Sequence, residues 1–332
     1  MLTAIAIFIG LVLFLLALDL FIINRKDHEP TMKEAMGWSA FWIGLALAFS
    51  IPLEMAYARD WFELGGGRID PVDGAELTGG MAVGKYLAAY VMEKALSVDN
   101  LFVIATVFAM FKVPKEYRHR VLFWGIIGAI VMRGLMIGAG TELVARFHWL
   151  MYVFGAFLIF TGIRMLRTSE DGNNAPGADF IQRVIRRFVA VSDKIENRNF
   201  FFRKDGALVA TPLFVALITV ECADLVFAVD SIPACLAITG DPFLVFTSNI
   251  FAILGLRSLY FALDGMMDRF HHLKTALSLV LVVVGAKMLF GEWLKPLLGK
   301  ELFIWGSLGL VGLMIAGGIV ASVLSKPPEK KP

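Results

Sequence analysis

Acidic side chains recur inside stretches of this chain that are otherwise apolar. Glu93-Lys94-Ala-Leu-Ser-Val-Asp99-Asn100 lies in one such stretch, and Glu221-Cys-Ala-Asp224-Leu-Val-Phe-Ala-Val-Asp230-Ser231 in another. Asp19 closes a third. A carboxylate in hydrocarbon costs about 2.5–3.5 kcal/mol even on lenient insertion scales, so its default reading is an ion or proton pathway. The available ligands are carboxylates, Asn100, Ser231, Asn249 and main-chain carbonyls. Such oxygen-rich sets suit Mg²⁺, Ca²⁺ or Mn²⁺. The histidines (His28, His119, His148, His271 and His272) fall in loops or at segment ends, which argues against a His-rich zinc or copper site. Cys222 and Cys235 lack the spacing of a soft-metal CxxC pair, and Cys222 reads as packing.

Spacing limits how these groups can meet. Glu221 and Asp224 are three apart and share a helix face. Glu93 and Asp99 are six apart, about 240° around a helix, and so are Asp224 and Asp230. For all of them to address one ion, breaks are expected near Val98–Asn100 and near Asp230–Pro233. Pro233 supports the second, because the residue before a proline avoids helical backbone. The bases within the same apolar stretches are Lys94, Arg133, Arg257 and Lys287. They are fewer than the acids, which favours a cation guest or protonated acids. Arg133 and Arg257 are expected to hold acids in place, or to stand in for the cation when the site is empty.

The elements that position these groups read as membrane spans. The 332 residues are 58% hydrophobic and only 18% charged, with a net charge of +2. Mean hydropathy is +0.72. This excludes a soluble globular domain, a disordered chain, a disulfide scaffold and a nucleic-acid binder. A span needs about 20 apolar residues. Nine segments qualify, near 2–23, 36–58, 82–110, 121–144, 149–167, 207–231, 243–264, 273–292 and 302–324. The first lacks a signal-peptide pattern and reads as a span. The expected fold is an all-α polytopic membrane protein of nine helices, one integral membrane domain over 1–332. No HExxH, GxSxG or intramembrane aspartyl frame is present, so no enzyme class is expected.

Lys and Arg concentrate in 24–35, 111–120, 164–206, 264–274 and the tail 325–332. The opposite loops hold Arg59, Arg68, Lys85, Arg146, Lys295 and Lys300. The positive-inside bias therefore puts the N-terminus outside and the C-terminus in the cytoplasm. Residues 178–189 have a basic amphipathic helix pattern, expected within a cytoplasmic linker over 168–205. The acidic stretch 59–80 is expected to be a solvated outer loop.

The two acidic motifs are also halves of a repeat. Each has an acid, five residues, then Asp and a small polar residue. Arg133 and Arg257 follow in the next segments. Gly162-Ile-Arg-Met-Leu and Gly285-Ala-Lys-Met-Leu follow in the next again. The units are 81–167 and 206–292. Each has three spans, so the second is inverted relative to the first. Inverted repeats build secondary transporters that bind cargo near the midplane.

The motif Glu221-x-x-Asp224-x-x-Phe227-Ala-Val-Asp230-Ser231-Ile-Pro233-Ala resembles the TerC family of bacterial integral membrane proteins. Glu93–Asn100, Thr247-Ser-Asn249 through Arg257, and Ala17-Leu-Asp19 are similar to that family as well. The family is named for an association with tellurite resistance, and its members are linked to manganese export. The resemblance implies a transported Mn²⁺, in preference to Ca²⁺ or Mg²⁺, and no resident cofactor. It implies a metal site of the acids Glu93, Asp99, Glu221, Asp224 and Asp230, to which the oxygen inventory adds Asn100 and Ser231. Asp19, Asn249, Lys94, Arg133 and Arg257 are expected along the path or behind the ligands. The expected partners are the lipid bilayer and the dication, the expected location is the bacterial cytoplasmic membrane, and proton antiport is a natural drive. The alternative is a membrane partner that supports metalation or assembly of exported enzymes, in which loops 59–80 and 168–205 matter as much as the acids.

Overall fold

A computed structural model describes residues 1–19, 31–147, 149–167, 187, 190–192, 199–204, 207–263 and 271–324. The chain is mostly helical. Helix α1 covers Leu2–Leu18, α2 Met32–Ala48, α3 Ser50–Ala58, α4 Gly79–Met110, α5 Lys115–Arg146 and α6 Leu150–Arg167. Three short strands follow, β1 Ala190–Val191, β2 Phe201–Lys204 and β3 Ala207–Ala210. Then come α7 Pro212–Leu236, α8 Pro242–Leu254, α9 Leu256–Leu263, α10 His271–Leu298 and α11 Lys300–Leu324. Among the described residues, four helical stretches are long and apolar enough to cross a membrane: Met32–Ala58, Lys115–Gly140, Pro212–Leu236 and Pro242–Ala262. Leu2–Leu18, Tyr152–Arg164, Ser278–Gly291 and Gly309–Gly318 are shorter apolar stretches. The protein is a polytopic membrane protein, and within the described residues the apolar segments read from the sequence fall on helices except at 207–210.

Local chemistry sets the helix ends. Thr31 and Glu34 form a reciprocal capping box at the start of α2. Thr78 caps α4 and Asp241 caps α8, the latter followed by Pro242 at a position that needs no amide. Phe49 separates α2 from α3 just before Pro52, which cannot donate back to Ala48. Gly255 separates α8 from α9.

Three expectations are corrected. Helices α4 and α7 run unbroken through Val98–Asn100 and through Asp230–Pro233. Pro233 sits in the last turn of α7, where it forfeits one amide bond just before the helix ends at Leu236. Residues 207–210 are a strand rather than the start of a span, so the helix begins at Pro212. The fold is therefore not purely helical: β3 pairs parallel with β1 and antiparallel with β2. Most of 178–189 lies outside the described residues.

Large apolar side chains line both the interior and the outside. Met92, Leu101, Phe108, Ile137, Leu158 and Phe251 are fully buried. Leu135 is 71% exposed, Leu313 73% and Trp293 79%. An outer surface this apolar is suited to lipid rather than water. Inside, α4 packs on α8, α5 on α7, α6 on α10, and α4 also meets α7. Glycines set the closest seam. A Cβ at Gly162 would stand 2.6 Å from the Ser278 carbonyl oxygen, and one at Gly285 would stand 2.6 Å from that of Gly155. Small residues let helices approach this closely in a bilayer, where water no longer drives them together.

Gly162→Val and Gly285→Val should each lower the thermal stability of the detergent-purified protein, by about 1–3 kcal/mol as overpacked sites do. Gly309→Ala meets nothing within 4 Å and should not. Equal melting curves for all three would refute the seam.

Candidate functional site

The guanidinium of Arg133 is the centre of the buried polar structure. Arg133 comes from the middle of α5 and is 0% exposed. Its Nε donates to Asp224 Oδ2 at 3.1 Å and its Nη2 to Asp224 Oδ1 at 2.8 Å, a two-pronged grip. Its Nη1 donates to the Glu93 carboxylate, to Ser231 Oγ at 3.3 Å and to Asn249 Oδ1 at 3.3 Å. Four helices thus meet at one cation: α4 through Glu93, α5 through Arg133, α7 through Asp224 and Ser231, and α8 through Asn249. Two carboxylates face one guanidinium, so the formal charge of the group is negative.

Unbroken helices explain which residues arrive. Asn100 is seven residues from Glu93, and Ser231 is seven from Asp224. Seven residues return a helix to nearly the same face. Glu93, Ser97 and Asn100 are all buried on α4. Asp99 and Asp230 occupy the six-residue positions, and their side chains lie outside the described residues. Among the described residues no three His, Cys, Asp or Glu side chains converge closely enough to hold a metal ion. Arg133 occupies the middle of the group instead.

The remaining expected residues are placed elsewhere. Glu221 lies against α5, where a Cβ at Gly128 would come within 2.1 Å of its Oε1. Its Oε2 is buried with no hydrogen-bond partner among the described residues. Lys94 turns from the acids and donates to the Ala252 carbonyl of α8 at 3.0 Å. Arg257 pairs with Asp19 at 2.8 Å and touches His119, joining α9, α1 and α5 in a separate cluster.

Two features escaped the sequence reading. Cys235 of α7 is fully buried beside the Arg133 group, its Sγ 3.4 Å from Asn249 Nδ2 and 3.9 Å from Glu93 Oε2. The other is a polar lock between the stretch 59–78, α4 and the α7–α8 turn. The acids of this stretch are not all solvated, as expected: Asp70 and Asp73 are 0% and 4% exposed. Lys85 Nζ binds Asp70 Oδ2 at 2.7 Å and Asp73 Oδ1 at 2.9 Å. The Thr239 hydroxyl and the Gly240 amide also donate to Asp70. Next in the turn, Asp241 Oδ1 accepts from Tyr57 Oη at 2.8 Å and from the amides of Phe243 and Leu244. Asp241-Pro242 is a recognisable helix start, but nothing in the sequence links it to Asp70. Burial pushes the Asp241 carboxyl above its usual range, against the Leu244 amide, the Tyr57 hydroxyl and Arg68, while Asp70 adds to the rise.

Comparison with known proteins agrees with this architecture. The family model described as "Integral membrane protein TerC family" matches residues 78–330. An "Uncharacterized membrane protein STKORF319" of Myxococcus xanthus is 43% identical over 95% of this chain and 91% of its own. A "Putative membrane-bound redox modulator Alx" of Salmonella typhi is 46% identical over 86% of this chain and 85% of its own. A protein of the same description from Escherichia coli K12 is 45% identical over 86% and 85%. No solved structure matches the chain.

The raised Asp241 carboxyl gives a pH test. A group whose folded pKa lies above its unfolded value favours the fold when neutral. That contribution is lost as pH climbs from the ordinary carboxylate range to the raised value. Asp241→Asn keeps the cap and mimics the neutral form. Its melting temperature should gain on the wild type as pH rises through that window, then hold a constant lead. A pH-independent difference would contradict the burial account.

Proposed function

The chain belongs to the integral membrane protein TerC family, and we propose that it exports a divalent cation, with Mn²⁺ as cargo, across the bacterial cytoplasmic membrane. The observation that carries this reading is the Arg133 group. Glu93 and Asp224, from different helices, already grip one buried cation together with Ser231 and Asn249. Their donors are hard oxygens, which suit Mn²⁺ and its hard neighbours. A dication that takes the guanidinium's place would neutralise both carboxylates. Glu221, with its unpaired oxygen one turn before Asp224, and Asn100, on the face of Glu93, flank the path. Asp99 and Asp230 complete the ligand set in this reading. Carboxylates that release a metal can take up protons, which supplies a route for proton antiport.

The reading includes nine spans and an inverted repeat of α4–α6 against α7–α10, with the N-terminus outside. The packing supports the repeat. If α4 corresponds to α7, α5 to α8–α9 and α6 to α10, then α4 on α8 is the counterpart of α7 on α5. The α6–α10 seam is its own counterpart. Gly162 against Ser278 mirrors Gly285 against Gly155, with seven residues between the paired positions on each helix. The two sets meet at Arg133, where a rocking motion between halves would expose the group alternately.

The name of the Salmonella and Escherichia relatives raises redox modulation as a second reading. Cys222 and Cys235 are both free and both lie on α7. Thirteen residues of helix separate them by about 20 Å, far beyond the reach of a disulfide. An intrachain dithiol cycle is therefore not a mechanism open to this fold, and the metal reading is preferred.

Cells loaded with manganese should hold less of it when they express the wild type, as read by elemental mass spectrometry of Mn, Fe, Mg, Ca and Zn together. Glu93→Gln, Asp224→Asn, Asp99→Asn and Asp230→Asn should each abolish the difference while the protein still reaches the membrane. Normal export by all four would sink the site, and no change in any metal with the wild type would sink export itself.

A further inference from the structure

The Arg133 group is not made of oxygen alone. Cys235 sits in the wall of the cluster, fully buried, on the same helix as Asp224 and Ser231. Its sulfur touches two members of the group by their outer atoms. Asn249 is held so that its Oδ1 faces Arg133 and its Nδ2 faces Cys235 Sγ at 3.4 Å. Glu93 is shared in the same way, one oxygen to Arg133 and the other 3.9 Å from the sulfur. The sulfur therefore lies directly behind two of the side chains that face the guanidinium. One further observation marks this space as one that receives a cation: a guanidinium already fills it, bound by four side chains from three other helices.

We infer that Cys235 is a sulfur donor of this site and sets its selectivity, so that the cargo class is borderline transition-metal dications rather than Mg²⁺ or Ca²⁺. This rests on the export reading above and narrows it. The chemical reason is softness. Carboxylate, amide and hydroxyl oxygens bind Mg²⁺, Ca²⁺ and Mn²⁺ alike, whereas sulfur adds affinity for transition metals and little for the hard ions. In a cell where Mg²⁺ is abundant, an all-oxygen site would be filled by the wrong ion. One sulfur changes the ranking without changing the charge of the carboxylate pair. Reaching the metal requires only that Asn249 or Glu93 yield the short distance to the sulfur when the guanidinium leaves.

The full chain is purified in detergent with Cys222→Ala, which removes the thiol outside the group. Cd²⁺ is titrated while the sulfur-to-cadmium charge-transfer absorption is followed. Mn²⁺ binding is read by loss of the free-ion electron paramagnetic resonance signal, alone and against Mg²⁺. The parent protein should show a saturable cadmium–sulfur band. Cys235→Ser and Cys235→Val should both lack the band and lose about tenfold or more of the Mn²⁺-over-Mg²⁺ preference, the scale on which groups around a metal act. Cd²⁺ bound without the band, or an unchanged preference in both variants, overturns the role of Cys235 and leaves the oxygen site standing. A parent protein that binds neither Mn²⁺ nor Cd²⁺ overturns the export site, and this inference with it.

Discussion

A charged guanidinium in the middle of an apolar bundle is the constraint to which the rest of this structure answers. Moving an ion of that size from water to a low-dielectric interior costs of order 20 kcal/mol in the idealised limit and several kcal/mol after relaxation. Arg133 is tolerated because its donors are met by Asp224, Glu93, Ser231 and Asn249. No single helix supplies them. The bundle must therefore bring α4, α7 and α8 to α5 with side-chain accuracy, and each of these helices carries a polar residue that is expensive to bury alone. The same condition explains why the group suits a cation as guest. What stabilises the guanidinium is concentrated negative charge, and that charge exceeds the one cation it holds.

Two other features keep the four helices in register. At one end, Lys85 on α4 is tied to Asp70 and Asp73, and Asp70 is tied to the α7–α8 turn through Thr239 and Gly240. This joins the helix of Glu93 to those of Asp224 and Asn249. Along the flank, Gly155, Gly162 and Gly285 bring α6 and α10 to backbone contact. A transporter that rocks about its centre would have to open the lock while preserving the seam. The lock is made of exchangeable polar contacts and the seam of fixed steric ones, a division suited to that motion.

Much of this was legible in the sequence. Hydropathy located the helices, and the repeated acid-x5-Asp motif selected α4 and α7 as the helices that carry the buried acids. Arg133 as a holder of acids followed from counting buried charges, and Asn249 as a neighbour from the inventory of oxygen ligands. What failed did so for a common reason. Spacing fixes the angle between residues on one helix, but not the rotation of that helix against its neighbours. Breaks in α4 and α7 were expected in order to bring Glu93 with Asp99, and Asp224 with Asp230, to a single ion. The bundle instead uses unbroken helices, and of the seven-residue positions Ser231 reaches Arg133. Glu221 shares a turn with Asp224 yet turns to Gly128, a partner that no local pattern names. Asp70 and Asp73 read as solvated because their neutralising base, Lys85, belongs to the next helix. Cys235 drew no role from the sequence because its neighbours Glu93 and Asn249 are distant in the chain.

The central claim is that Arg133 fills a cation site rather than serving only as a structural tie. The direct measurement is the thermal stability of purified Arg133→Gln with and without Mn²⁺. If the account holds, the variant is less stable than the wild type in the absence of metal, because the buried Glu93 and the partly buried Asp224 have lost their partner. Mn²⁺ then raises its melting temperature by more than it raises that of the wild type, where the guanidinium competes, and Na⁺ does neither. If Mn²⁺ stabilises the wild type but not Arg133→Gln, or stabilises neither, the guanidinium is not holding the place of a metal and the account is wrong.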